Sequence, residues 1–156
     1  MKHLLCLALI LSFPLAVSAD GISPETRADI ERSRALINDK RNTALAFNMS
    51  FTEAERAAFW PVYEQYRSAM ENVNSRRLDM LVDYANHYDE MTEDKAADLL
   101  RRVMLYEEQE LQVRQLYLAK FGEILPPSKV VRLYQIETRM DNAIKVQLSE
   151  VIPLME

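Results

Sequence analysis

Hydrophobic residues recur at helical spacing along most of this chain. After a first apolar run over residues 4–17, apolar positions return every three or four residues as far as about residue 150. Residues three and four apart lie on one face of a helix, so this spacing predicts amphipathic helices rather than strands. The four predicted helices span residues 24–47, 53–89, 93–121 and 127–150.

Local start signals mark the beginnings of these helices. Thr52 and Glu55 have the T-x-x-E spacing of a capping box, and Thr92 is the predicted N-cap of the third helix. Pro24 and Pro127 suit the first position of a helix, where proline is favoured. The chain has only two glycines and no Asn-Gly or Asp-Gly turn, which argues against β-hairpins.

The second and third predicted helices carry the longest apolar stripes. The second has a 4-3-4-3 rhythm that is typical of helices packing along their whole length: Phe59, Tyr63, Tyr66, Met70, Val73, Met80 and Tyr84. In the third we expect one main stripe to face the core: Leu100, Met104, Leu111, Leu118 and Phe121. A second set widens it: Leu99, Val103, Tyr106, Val113 and Tyr117. The predicted fold is all-α, an elongated four-helix hairpin-like bundle with long amphipathic helices, and a homodimer would bury part of its large surface.

The first nineteen residues have the features of a cleavable signal peptide. Lys2 and His3 precede the apolar run, and Val17 and Ala19 place small residues at the −3 and −1 positions of a cleavage site. The run of about 14 residues is shorter than the roughly 20 that a membrane-spanning helix needs. We therefore predict export, cleavage after residue 19, no stable membrane insertion afterwards, and one all-helical domain over residues 20–156.

Composition excludes several classes of function. The net charge is −5, so the chain gains little from counterion release on nucleic acid, and we expect no nucleic-acid partner. Cys6, the only cysteine, lies in the predicted signal peptide, and His87 is the only histidine after it. Without glycine-rich loops or a plausible nucleophile and base, the sequence predicts no catalytic residues and no enzyme.

The sequence also predicts no metal site and no cofactor. A carboxylate-bridged di-iron bundle needs two Glu-x-x-His motifs, which a single histidine cannot supply. Glu107, Glu108 and Glu110 could hold a hard cation, but we interpret them as a solvated helix face that pairs with arginines. In particular, we expect Arg76 and Arg77 to pair with Glu107 or Glu110 on the facing helix. The dispersed methionines are interpreted as flexible core residues.

Residues 59–63 (F-W-P-V-Y) form an unusual aromatic segment. One interpretation, which we favour, is that Trp60 packs under the first helix. The other is that the segment anchors a partner protein, since aromatic residues are enriched among the residues that dominate protein interfaces. On that second hypothesis the partner-binding residues are Phe59, Trp60, Tyr63 and Tyr66.

Three helix openings share one pattern: an apolar residue, then Thr or Pro, two variable residues and a long polar side chain. The matched positions are Phe51, Thr52, Glu55, Met91, Thr92, Lys95, Leu125, Pro126 and Lys129. The first two openings resemble degenerate forms of the L-T-x-x-Q motif of the Spy/CpxP family, with Glu55 and Lys95 at the position of the glutamine. The resemblance covers about residues 43–150.

This resemblance implies a periplasmic, all-α protein without catalytic activity. The family includes ATP-independent chaperones, stress-signalling repressors and heavy-metal sensors, built as helical hairpins that dimerise. For this chain the resemblance implies a chaperone-like or envelope-stress-sensing protein. Its partners would be unfolded proteins, or specific partner proteins, of the envelope. The alternatives are a regulatory partner of a membrane sensor or anti-sigma factor, and a periplasmic heavy-metal sensor.

Overall fold

The structure is a computed structural model, and it describes residues 24–151 and Leu154. These residues form four helices and no strand: α1 (Pro24–Asn48), α2 (Glu53–Asn86), α3 (Glu93–Ile124) and α4 (Pro127–Val151), with a short 3₁₀ turn at Tyr88–Glu90. The all-α prediction is confirmed, and every helix begins at the predicted residue. The predicted signal peptide, residues 1–19, lies outside the described residues.

The helices α2 and α3 form an antiparallel hairpin, which is the centre of the bundle. They have 34 and 32 residues, or about 50 Å each, and share the most extensive interface between helices in the described chain. The other two helices pack against each other, and α4 also packs against α3. Within the described residues, no helix is apolar over a stretch long enough to cross a bilayer.

The predicted caps form at α2 and α3. Thr52 Oγ1 accepts a hydrogen bond from the Glu55 backbone N–H at 3.2 Å, and the Thr52 N–H donates to Glu55 Oε2 at 2.7 Å, so the capping box is complete. Thr92 Oγ1 accepts from the Lys95 N–H at 3.3 Å. At its other end α2 stops three residues before the predicted boundary, because His87 leaves the helical conformation (φ −115°, ψ 10°).

The core lies at the end of the bundle where α1 leads into α2 and α3 leads into α4. It is strongly aromatic, with Phe59 stacked on Tyr63 at 5.2 Å between ring centroids and tilted against Phe121 at 5.4 Å. The buried members of this cluster are Leu45, Met49, Phe59, Tyr63, Tyr66, Met70, Tyr117, Phe121, Leu125 and Leu133. Large aromatic rings bury much apolar surface, so this end should be the most stable part of the bundle.

The orientation of α3 differs from the prediction. Leu100, Met104 and Leu111, which we expected in the core, are 62%, 52% and 52% exposed. The inward face contains Phe121 from the predicted main stripe, together with Glu110 and three members of the second set: Leu99, Tyr106 and Tyr117. Both stripes have helical spacing, and the inward one carries three aromatic side chains, which bury more apolar area than leucine and methionine.

The link between α1 and α2 contains a left-handed residue. Ser50 has φ 47°, a conformation that is strained for residues with a Cβ and free of strain for glycine. Its carbonyl oxygen accepts a hydrogen bond from Lys129 Nζ at 2.9 Å, which ties this turn to α4.

Replacing Ser50 with glycine should therefore stabilise the protein. We expect Ser50→Gly to raise the free energy of unfolding by up to about 1 kcal/mol, measured by urea denaturation, since relief of strain outweighs the added freedom of the unfolded chain. The matched control is Ser68→Gly at an exposed position within α2, which should lower stability by about 0.5–1 kcal/mol. A loss of stability in both variants would contradict the prediction.

Candidate functional site

A buried carboxylate joins three of the four helices. Glu137 of α4 is 4% exposed, and Arg41 of α1 is 2% exposed. Arg41 Nη1 donates to Glu137 Oε2 at 2.8 Å, and the Tyr63 hydroxyl of α2 donates to Glu137 Oε1 at 2.6 Å. A buried charge is tolerated only when it is paired and hydrogen-bonded, and here both carboxylate oxygens have a donor.

The network continues from this carboxylate to α3. Arg41 Nη2 donates to Asp141 Oδ1 at 2.5 Å, and Arg114 Nη2 lies 3.3 Å from Asp141 Oδ2 and 2.7 Å from Glu110 Oε1. Lys145 Nζ completes it at 3.2 Å from Glu110 Oε2. Side chains from all four helices therefore meet in one chain of ion pairs and hydrogen bonds.

Burial keeps the tyrosines beside this network protonated. It raises the pKa of the Tyr63 hydroxyl far above its ordinary value, and the adjacent Glu137 carboxylate raises it further. The same two causes raise the pKa of Tyr66 to about 12. Tyr63 thus remains a hydrogen-bond donor to Glu137 throughout the physiological pH range, which suits a structural contact.

Removing the Glu137 carboxylate should strongly destabilise the fold. We expect Glu137→Leu to lower the free energy of unfolding by about 3–5 kcal/mol, because buried Arg41 would keep only Asp141 as a partner and the buried Tyr63 hydroxyl would lose its acceptor. Tyr63→Phe removes one bond to a charged acceptor and should lower it by about 1–3 kcal/mol. Urea denaturation measures both losses, with Gln135→Leu at an exposed position of α4 as control. A loss below about 1 kcal/mol for Glu137→Leu would show that the network contributes little.

A cleft of about 200 Å³ opens between the four helices beside the network. Its lining mixes apolar side chains with charges of both signs: Ile37, Leu78, Leu81 and Ile144 with Arg41, Arg67, Arg77, Lys145, Glu71, Glu110 and Asp141. Arg77 stands over the ring of Tyr106, 5.6 Å from its centroid. Since neither charge sign dominates and most of the ions pair with each other, the cleft does not define one class of ligand.

An exposed apolar stripe runs along the outer side of α3. Leu100, Met104, Leu111 and Leu118, four, seven and seven residues apart, share one helix face. The first three are more than half exposed, whereas Leu118 is half-buried and lines a small recess together with Tyr134 of α4. From Leu100 to Leu118 this apolar stripe extends about 27 Å. Single exposed apolar residues are ordinary, but an aligned set marks a candidate binding surface.

The aromatic residues predicted to bind a partner lie inside the protein. Phe59, Tyr63 and Tyr66 are at most 4% exposed. Trp60 is half-buried, with its ring 5.2 Å from that of Phe59 and 6.4 Å from that of Phe51. This placement fits the favoured interpretation, in which Trp60 packs inside the protein. The ring contacts of Trp60 are with other aromatic residues at the core. The exposed stripe on α3 replaces this segment as the candidate binding surface.

The helix-opening residues have structural roles that join the ends of helices. Lys129 Nζ contacts Glu55 Oε2 at 2.5 Å, so the openings of α2 and α4 are tied to each other. Lys95, at the opening of α3, pairs with Asp83 of α2 at 2.7 Å. Phe51 packs against the core, and Leu125, which is buried, ends α3 before Pro126. Met91, before the Thr92 cap, is half-buried.

The predicted arginine pairs did not form. Arg76 Nη1 donates to Gln109 Oε1 at 2.6 Å, and Arg77 stacks on Tyr106, while Glu110 is paired with Arg114 and Lys145. Helix rotation explains the difference, because Glu110 turns inward together with the aromatic face of α3. Among the described residues, no group of three or more His, Cys, Asp or Glu side chains is arranged to hold a metal ion.

Stability should decrease in acid partly through Glu55. The hydrogen bond from Lys129 and that from the Thr52 backbone N–H lower the pKa of this carboxyl in the folded state. A lowered folded pKa stabilises the fold above the unfolded value, roughly 4.3, and that contribution is lost as the pH falls through the folded pKa. Urea denaturation from pH 7 to pH 3 should show Glu55→Gln less stable than wild type at pH 7 and the gap closing below about pH 4. Glu64→Gln, at an exposed position of α2, is the control, and a gap that does not depend on pH would contradict this assignment.

Comparisons with protein-family models, with curated proteins and with solved structures find no match to this chain.

Proposed function

We propose that this protein is a chaperone-like binding protein of the periplasm, which captures partly unfolded envelope proteins reversibly and without catalysis. The observation that carries the proposal is the apolar stripe of α3, in which Leu100, Met104 and Leu111 are more than half exposed to solvent. The signal-peptide features of residues 1–19 and the resemblance to the Spy/CpxP family support the compartment and the class of function.

The physical argument for capture rests on the exposed apolar surface. Burying apolar surface contributes about 25 cal/mol per Å², so an aligned stripe offers a client a continuous apolar contact. Methionine adapts to different partner shapes, which suits binding without sequence specificity. The bundle beneath the stripe is held by buried aromatic rings and ion pairs, so a client can bind and leave without unfolding the protein.

The second candidate is a regulatory partner that binds one periplasmic segment of a membrane sensor or anti-sigma factor. The stripe supports this function as well, since contact between the apolar face of an amphipathic helix and an apolar surface is one of the recurring modes of peptide recognition. The two candidates differ in selectivity: a chaperone protects many clients, whereas a regulatory partner forms one defined complex.

Light scattering of an aggregating client protein tests the proposal. We expect the purified protein to suppress aggregation at near-stoichiometric ratios without ATP. The variant L100Q/M104Q/L111Q should lose most of this protection and keep its stability within about 1 kcal/mol, because the three side chains are exposed.

The control for this variant lies on another face of the same helix. Leu105 and Leu116 are 45% and 55% exposed and stand roughly 130° around α3 from the apolar stripe. The variant L105Q/L116Q should protect the client as the wild type does. Equal protection by both variants would remove the stripe from the proposal, and no protection by the wild type would favour the regulatory partner.

A further inference from the structure

Two exposed carboxylates flank the apolar stripe at its middle. Glu107 and Glu108 lie between Met104 and Leu111, and at 100° per residue they stand on opposite sides of the stripe. Any segment that covers the stripe must therefore pass close to both carboxylates. The inference drawn from them rests on the proposed function, because it concerns which clients this surface selects.

Neither carboxylate has a cationic partner among the described residues. Glu108 Oε1 accepts a hydrogen bond only from the neutral Gln112 amide at 3.0 Å. Glu110, in contrast, turns inward and pairs with Arg114 and Lys145. The two negative charges beside the stripe are thus available to a binding partner.

The cationic side chains of α3 are occupied elsewhere. Lys95 and Arg102 both pair with Asp83 of α2, and Arg101 pairs with Asp98. Arg114 belongs to the buried network, and Lys120 stands over the ring of Tyr117 at 4.6 Å from its centroid. Four of these cations are thus paired with carboxylates, and Lys120 lies on the opposite side of the helix from the stripe, so the unpaired charges beside the middle of the stripe are those of Glu107 and Glu108.

From this arrangement we infer that the apolar stripe binds cationic amphipathic segments, in which apolar residues at helical spacing are flanked by lysine or arginine. The apolar face of the client covers Leu100, Met104 and Leu111, and its cations lie against Glu107 and Glu108. Exposed ion pairs contribute little energy each, so the carboxylates set selectivity and the apolar contact supplies most of the affinity.

Two synthetic helical peptides test the inference. They share one apolar face and differ only in their polar face, which carries lysine in one and glutamate in the other. Fluorescence anisotropy with the purified protein should show the lysine peptide binding roughly ten times more tightly at low salt. This preference should shrink as the salt concentration rises, because salt screens exposed charges.

Two matched charge variants test whether the preference for the lysine peptide comes from Glu107 and Glu108. E107Q/E108Q should reduce the preference for the lysine peptide roughly three- to tenfold and leave the binding of the glutamate peptide unchanged or tighter. The control E64Q/E123Q removes two exposed carboxylates away from the stripe, with the same change in net charge, and should keep the preference.

The outcomes separate this inference from the proposed function. Equal binding of both peptides by the wild type would overturn the charge selectivity and leave capture on the stripe in place. Equal loss of preference in both charge variants would assign it to net charge and also overturn the inference. If neither peptide binds and no client is protected, the proposed function fails together with it.

Discussion

The structure depends above all on the carboxylate of Glu137. It receives Arg41 from α1 and the Tyr63 hydroxyl from α2, and it is itself carried by α4, so one side chain fixes three helices relative to each other. Separating such a pair leaves a charge in an apolar surrounding, which is far more unfavourable than breaking an exposed ion pair. This requirement holds α1 in one register against α4.

The same network determines which side of α3 is exposed. Glu110 and Arg114 face inward to meet Asp141 and Lys145 of α4, and Tyr106, Tyr117 and Phe121 share that inward side. When the aromatic residues and the ion pairs both face α2 and α4, Leu100, Met104 and Leu111 are left facing solvent. One orientation of α3 about its own axis therefore determines both which residues are buried and which are exposed.

The sequence predicts the helices better than it predicts their faces. Helix starts depend on residues a few positions apart, such as Thr52 and Glu55, so the sequence predicts these starts from local signals. The rotation of α3 could not, because two apolar stripes of helical period compete and only tertiary packing decides between them. The pairing of Arg41 with Glu137 spans 96 residues and leaves no local pattern. The 4-3 spacing of α2 predicts that Phe59, Tyr63 and Tyr66 are buried, whereas the partner-binding hypothesis rests only on the enrichment of aromatic residues at interfaces.

An exposed apolar stripe normally favours aggregation, because a second copy of the protein could cover it as readily as a client would. Glu107 and Glu108 act against this outcome, since two copies meeting face to face would bring four carboxylates together at the middle of the contact. Like charges that are brought into one interface disfavour that complex, and opposite charges favour theirs. If the stripe binds clients as proposed, the two glutamates that select cationic clients would also keep the stripe open between binding events, so one feature of α3 would account for both properties.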